Sequence, residues 1–591
     1  MMKDWKKYLL GYCLIAVLVL PVQAQILQIS SGTSLENYAA SELQRYYYQL
    51  SGKLLNIERT ASANLKSDFI LTTLDNPLVD DWQKKGILKL KEKPGEQGYI
   101  LQTVKNAGRR TLLIAGTDPC GLLYGVYGLL EDHLGVRFYM SGDILPEKRM
   151  RGHLPVINDV RTPQMRIRGF LPWTNFPQSA TIYSWNDWRY VIDQAAKMRM
   201  NFIMIHNYNG FCGHNETFHN FEYNGYLSRG WMPTVKTGHG WLCPGWDINE
   251  YCFGASEIYD DYGADYGLHN ETLTNSQIKE KGETVFRKVI DYAHQRGVKI
   301  GLGLDIDVIL PEYQVSADER GVIAAQTAQL AKQYPYLDYL FCFQSEGSKD
   351  SVFYAKWQRV FDGFYEDMKR LSPSIHIVVS GWGMTAESVA RLPKDVICAP
   401  ISYYSAAFEP GNIYGEREYW GCPWLERDWS SSQYYYPYNV DLSETIHAYE
   451  KASENMKGFY ALTWRLTDAV SPKMWYISKA PWYEAEELNS SEKVYGDYAK
   501  TNYGESVAKP ITAIINQNEP FATDFAECQA TPGFNEVVNT YPLMNIQSLS
   551  FAGKHGELMK IDAVNFQEKK GTKNAPSDEG GECVGYIMAG G

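Results

Sequence analysis

No stretch of this 591-residue chain gathers lysine and arginine into a long basic run, and the net charge is -12. The electrostatic footprint of phosphate-backbone binding is therefore missing, and nucleic acid is excluded as the expected partner. Beyond the first two dozen residues no apolar run approaches the ~18 residues that a spanning helix needs. The glycine-rich turn in AGTDPCG has neither a GxGxxG nor a phosphate-loop pattern, so no nucleotide is expected. The chain also lacks metal-ligand spacing. Cys212, His214 and His219 fall close together but in no repeated pair pattern, and they read as a solvated loop. Neither a metal nor any other cofactor is implied.

What is present is size, apolar surface and aromatic rings. A chain of this length exceeds one hydrophobic core, so about two to four domains are expected. The hydrophobic fraction of 45% excludes disorder, and 43 Tyr with 16 Trp is a high aromatic load. Rings in such number suit stacking against the apolar faces of sugars, and equally suit an aromatic core. The opening MMKDWKKYLLGYCLIAVLVLPVQAQ has basic residues, an apolar run and small residues before Gln25. It reads as a signal peptide cleaved near Ala24, with secretion of the mature chain to the periplasm or beyond. Of the ten cysteines, Cys13 lies in that leader and an odd number remain. Cys243 and Cys252 are a plausible local disulfide, whereas Cys342 and Cys398 fall in apolar strands and read as inert core thiols.

From Ser34 the segment SLENYAASELQRYYYQLSG is an amphipathic helix with Leu35, Tyr38, Ala39, Leu43, Tyr46, Tyr47 and Leu50 on one stripe. Strands at 68–72, 98–103 and 111–115 and a further helix complete a small α/β domain. From Gln164 onward β-like apolar runs alternate with helical ones, the pattern of parallel strands joined by crossover helices. Strands are expected over 165–171, 202–206, 298–304, 339–343, 376–380, 396–401, near 420–425 and over 459–463. Helices are expected over 185–198, 277–295, 317–333, 352–371 and 442–455. The fold class is thus α/β: a (β/α)8 TIM-type barrel preceded by a small α/β domain, with a partial β-rich carboxyl-terminal segment. The expected boundaries are 1–24 for the leader, 25–160 for the first domain, 161–535 for the barrel and 536–591 for the tail. A long connection over 207–275, crowded with aromatics, suits walls around a ligand.

The segments 34–52 and 115–139, the latter ending in LGVRFY, resemble the amino-terminal α/β domain that precedes the barrel of family 67 α-glucuronidases. Similar domains precede the barrels of family 20 hexosaminidases, and KMRMNFIMIHNYN is similar to the second helix and strand of both groups. The tail, with its GYI strand, resembles the start of a family 6 carbohydrate-binding module. These resemblances imply a hydrolase acting on an oligo- or polysaccharide through two carboxyl groups.

Barrel chemistry collects at the carboxyl ends of strands. Glu346, in FCFQSEGSKD, follows the fourth strand and matches the Ser-Glu-Gly that holds the family 67 general acid; the lesser alternative is a solvated loop acid. Family 20 enzymes have Asp before this Glu, whereas Ser345 stands here. Glu426, in GCPWLERDW, falls where the family has its second carboxylate, with Asp428 and Glu409 as alternatives. Asp305 and Asp307, in GLGLDID, suit sugar binding or a helix cap. Arg168 corresponds by position to the family 20 arginine that holds the terminal sugar. His206 and Asn207 close the second strand. Trp382, and Trp464 with Arg465, are expected to floor the sugar site or to be packing. A hexosaminidase-like activity and a sugar-binding barrel without catalysis are the competing readings.

Overall fold

A computed structural model describes residues 25–28, 32–60, 67–90, 92–106, 109–147, 150, 154–172, 183–207, 261–262, 268–269, 275–306, 319–344, 351–381, 384–401, 413–425, 454–463, 466, 470–483, 491–515, 548–552, 558–562, 573–576 and 582–585. Their contacts divide into two units: Met1–Val136 with Leu145–Thr162, and Arg137–Ile144 with Pro163–Gly591.

The first unit contains β1 (Gln25–Gln28), α1 (Ser34–Ser51), β2 (Asn56–Arg59), β3 (Phe69–Thr73), α2 (Pro77–Lys84), β4 (Tyr99–Asn106), β5 (Arg109–Gly116) and α3 (Pro119–Gly128). The helix expected from Ser34 is capped one residue earlier. Thr33 accepts from the Glu36 amide while Glu36 accepts from the Thr33 amide, and this reciprocal box satisfies two orphan donors. The stripe is as expected except that Tyr38 is only partly covered and that Glu36, Ala40 and Glu42 are buried as well. Glu42 is tolerated inside because Tyr127 Oη donates to it at 3.0 Å and Arg45 at 2.7 Å. The sheet is six-stranded with the order β2-β1-β3-β5-β4-β8, where β8 is Asn158–Arg161 and β4 runs antiparallel to both its neighbours.

Between α3 and β8 the chain makes a hairpin, β6 (Arg137–Tyr139) with β7 (Gly142–Ile144), that packs within the second unit. Tyr139 sits edge-on against Trp475 and Tyr498, with ring centroids 5.3 and 4.9 Å away. Asp143 holds Lys197 Nζ at 2.8 Å, and Arg137 Nε donates to Asp497 at 3.0 Å. The sequence gives this hairpin no turn signal strong enough to separate it from the preceding helix.

The second unit is built on a closed barrel of eight parallel strands. In chain order the elements are β9 (Ile167–Pro172), α4 (Trp185–Lys197), β10 (Phe202–Asn207), the short pair β11 (Asp261–Tyr262) and β12 (Leu268–His269), α5 (Asn275–His294), β13 (Lys299–Asp305), α6 (Glu319–Gln333), β14 (Tyr339–Gln344), α7 (Ser351–Leu371), β15 (His376–Gly381), α8 (Ala386–Ala390), β16 (Ile397–Cys398), β17 (Tyr419–Gly421) and β18 (Met456–Thr463). Then follow α9 (Ser471–Lys479), α10 (Ser491–Tyr503) and α11 (Ala508–Ile515). Two antiparallel pairs, β19 (Ser548–Ala552) with β20 (Leu558–Asp562) and β21 (Lys573–Pro576) with β22 (Glu582–Gly585), lie in the tail. The helix expected over 442–455 falls almost wholly outside the described residues.

Alternation sorts the barrel residues by face. Ile167, Leu171, Phe202, Met204, Tyr339, Phe341, Phe343, Val378, Trp420, Cys422, Tyr460 and Leu462 form one buried cluster inside the barrel. Room for so many rings comes from β13. A Cβ on Gly301 would stand 2.8 Å from Phe202 and 3.0 Å from Phe341, and one on Gly303 would stand 2.4 Å from Met204 and 2.9 Å from Phe343. Each aromatic kept from water adds roughly 1.5–3 kcal/mol, which offsets the entropy of ordering two strand glycines at about 0.5–1 kcal/mol each.

Candidate active site at the carboxyl end of the barrel

The interior becomes polar toward the carboxyl ends of the strands. On β10, His206 follows Met204 in the inward alternation and is fully buried, its ring edge-on to Phe343 at 4.4 Å between centroids. Burial lowers its pKa to about 3, so the imidazole is neutral through the physiological range. Gly303 also makes space here, since a Cβ would stand 3.1 Å from the His206 ring. Asn207 ends the same strand, paired with Leu304, and Asp305 ends β13, paired with Phe343.

Across the barrel, Ser380 follows Val378 inward on β15, and its Oγ lies 3.0 Å from Tyr460 Oη. Tyr460 in turn donates to the Ala399 carbonyl at 2.6 Å. Burial pushes the Cys422 thiol well above its ordinary value, and contact with Tyr460 pulls it back only in part. Cys342 and Cys398 are buried as expected, free, and likewise held protonated by desolvation, so these thiols are poor nucleophiles. At the end of β14, Gln344 is 1% exposed and its Oε1 has no hydrogen-bond partner among the described residues. Beside it Gly381 adopts φ 117°, a conformation closed to other residues, and a Cβ there would stand 2.4 Å from the Gln344 carbonyl. Among the described residues no group of His, Cys, Asp and Glu is arranged to hold a metal, and no helix is long and apolar enough to cross a membrane.

The residues expected from the sequence divide sharply. His206 lies inside the barrel at this end, and Asn207 and Asp305 hold strand-end positions. Glu346, Glu426, Asp307, Trp382, Trp464 and Arg465 lie outside the described residues, as do the alternatives Glu409 and Asp428 and the cysteines 212, 243 and 252.

Arg168 needs a correction. It sits near the amino-terminal end of β9 on the outward face and is fully buried. Its Nε donates to the Arg199 carbonyl at 3.0 Å and its Nη1 to the Met165 carbonyl at 2.7 Å, while the guanidinium lies 4.9 Å from the Trp482 ring. Arg199 has φ 61°, a left-handed conformation that costs roughly 1–2 kcal/mol and that the Arg168 bond helps to hold. Spent on main-chain carbonyls at the wrong end of the strand, this guanidinium is not placed to clamp a sugar. Sequence reasoning passed over Tyr460 and Ser380, whereas Gln344 shares the outward parity of Leu340 and Cys342. The signal available for Ser380 was a polar residue at the end of an apolar strand, as in HIVVSG.

Comparison with known proteins gives a consistent pattern. Residues 20–129 match the model of the glycosyl hydrolase family 67 N-terminus. No curated protein matches the chain. Among solved structures, the family GH115 4-O-methyl-alpha-glucuronidase BtGH115A, which has specificity for decorated arabinogalactans, is similar at 12% identity and a TM-score of 0.52. That likeness covers 84% of this chain and 61% of the other. CpGH89 from Clostridium perfringens, solved in complex with its substrate GlcNAc-alpha-1,4-galactose, is similar at 12% identity and a TM-score of 0.51, over 82% of this chain and 53% of the other. The chain thus spans just over half the length of these structures. Its first domain is similar to the family 67 amino-terminal domain, and its barrel shares a fold with glycoside hydrolases of other families.

Proposed function

We propose that this protein is a secreted glycoside hydrolase that removes a terminal sugar, in our reading a uronic acid, from a complex glycan. The observation that carries the reading is the family 67 match over 20–129, followed along the chain by a closed eight-stranded barrel. Fold likeness to a 4-O-methyl-alpha-glucuronidase agrees with it. Glu346 is assigned as general acid, two residues beyond the last position of β14, and Glu426 as the base that activates water. Asn207, Asp305, Asp307, Trp382, Trp464 and Arg465 are assigned to binding. His206, neutral and edge-on to Phe343, supports the sugar from below and does not serve as acid or base.

The test is a panel of aryl glycosides that sets uronic-acid against N-acetylhexosamine substrates. Uronide cleavage is expected, and Glu346→Gln should lower kcat by about 10²–10⁴-fold on a substrate whose leaving group needs protonation. Unchanged turnover would remove Glu346 from the mechanism. Release of N-acetylhexosamine alone would favour the second reading, a hexosaminidase-like hydrolase, to which the likeness with CpGH89 lends support. Binding without turnover of any glycan would favour a sugar-binding barrel. Export is tested by sequencing the mature amino terminus, expected at Gln25.

A further inference from the structure

The barrel has a thin seam. β16 is two residues long; it pairs with β15 at two positions and with β17 only through Cys398 and Tyr419. The ladder between β17 and β18 slips at Tyr419 and Trp420. Beyond the ladder a few main-chain bonds continue the closure: Ala399 donates to Val379 at 2.8 Å, Ile401 to Gly381 at 3.2 Å, Leu425 to Leu462 at 2.9 Å and Leu462 to Pro423 at 2.8 Å.

Inside this seam stands the Tyr460 phenol. A carbonyl oxygen only accepts, so the single phenolic proton goes to Ala399, and Ser380 must donate its own proton to Tyr460. The hydrogen bonds therefore run in one direction, from β15 to β18 and back to the residue after β16. Cys422, just past β17, touches the same hydroxyl. Both Ser380 and Tyr460 are fully buried, and the Tyr460 ring is fixed edge-on to Phe341 at 5.4 Å. In so dry a place a deleted hydrogen-bond partner is not replaced by bulk water.

We propose that Tyr460 is a positioning residue: by bonding Ala399 and Ser380 at once, its hydroxyl sets the relative height of the strand ends that precede, along the sequence, residues assigned to the reaction. The proposal rests on the hydrolase reading of this end of the barrel. Along the sequence Ser380 stands two residues before Trp382, Cys422 four before Glu426, and Tyr460 four before Trp464. A shift of one strand end by a fraction of an ångström would be passed to each of these in turn, and near-attack geometry is sensitive to displacements of that size.

The experiment uses Tyr460→Phe in the full chain, which keeps the ring and removes one oxygen. Amide exchange at Ala399, Ile401 and Leu462 is expected to quicken about tenfold. On the aryl glycoside that wild type cleaves fastest, kcat should fall about tenfold while KM stays within twofold, and Ser380→Ala should move both readouts the same way by less. Unchanged exchange over 399–401 overturns the proposal. So does faster exchange with kcat and KM both unchanged, which would make the hydroxyl merely structural. If wild type cleaves no glycoside, the hydrolase reading fails separately, and the exchange result still decides whether Tyr460 sets the strand ends.

Discussion

Arg168 and His206 are both fully buried ionisable side chains on adjacent strands of one barrel, yet they solve burial in opposite ways. Arg168, near the amino-terminal end and facing outward, keeps its charge and surrounds it with backbone carbonyls. His206, at the carboxyl end and facing inward, gives up its charge and packs against an aromatic ring. The amino-terminal end is thereby a fastening, in which charged groups bridge strands to their neighbours. Arg166 with Glu418, and His294 with Asp338, belong to the same end. At the carboxyl end the described strand tips are polar and buried, a setting in which a hydrogen bond counts for more than it does in water.

Mutations can break this contrast. The largest effect is expected from Arg168→Ala, which strands several buried carbonyls; urea unfolding should show a loss of about 3–5 kcal/mol. Any folded fraction should keep its KM for a glycan, and a rise in KM would restore the clamp role denied above. Next is Gly303→Ala, which overpacks Met204, Phe343 and His206 at once and should cost about 1–3 kcal/mol in the same measurement. A neutral result would mean that the rings at this end have slack.

The two histidine sites give pH tests of opposite sign. The folded pKa of His206 lies below the ordinary 6.5, at about 3, so the unfolded chain binds the extra proton first. Stability is full above about 6.5 and should fall by roughly 1.4 kcal/mol per pH unit as pH drops from there towards 3. His206→Gln should flatten that limb; an unaltered slope would show that other groups cause it. Smaller still is the effect at His294, whose pKa is raised by the hydrogen bond that its ring donates to the Asp338 carboxylate. That contribution is present below the unfolded value and is lost as pH climbs through the folded one. Asp338→Asn should remove this alkaline loss, as followed by thermal unfolding in low salt.

The barrel strands were legible because each is a continuous apolar run buried on both faces, flanked by a helix whose period differs. Precision failed where the ladder is thin. The expected strand over 396–401 narrows to Ile397–Cys398, and the one near 420–425 begins and ends earlier, at Tyr419–Gly421, because a bulge and Pro423 interrupt regular pairing. The Arg168 assignment failed for a different reason. Positional analogy names a strand but not a face, whereas the alternation with Ile167 and Leu171 inward would have placed Arg168 outward. Tyr460 escaped notice because a tyrosine in an apolar strand looks like ring packing until its hydroxyl partners are seen.

The two glycines of β13 tie the history of one strand to that of its neighbours. Volume missing from Gly301 and Gly303 is occupied by Phe202, Phe341, Met204 and Phe343, so neither party can change size alone. In a lineage of this barrel, an alanine at 301 or 303 should be found only alongside a smaller residue at one of those four positions. A double-mutant cycle joining Gly301→Ala to Phe341→Leu would then show one substitution repairing the other.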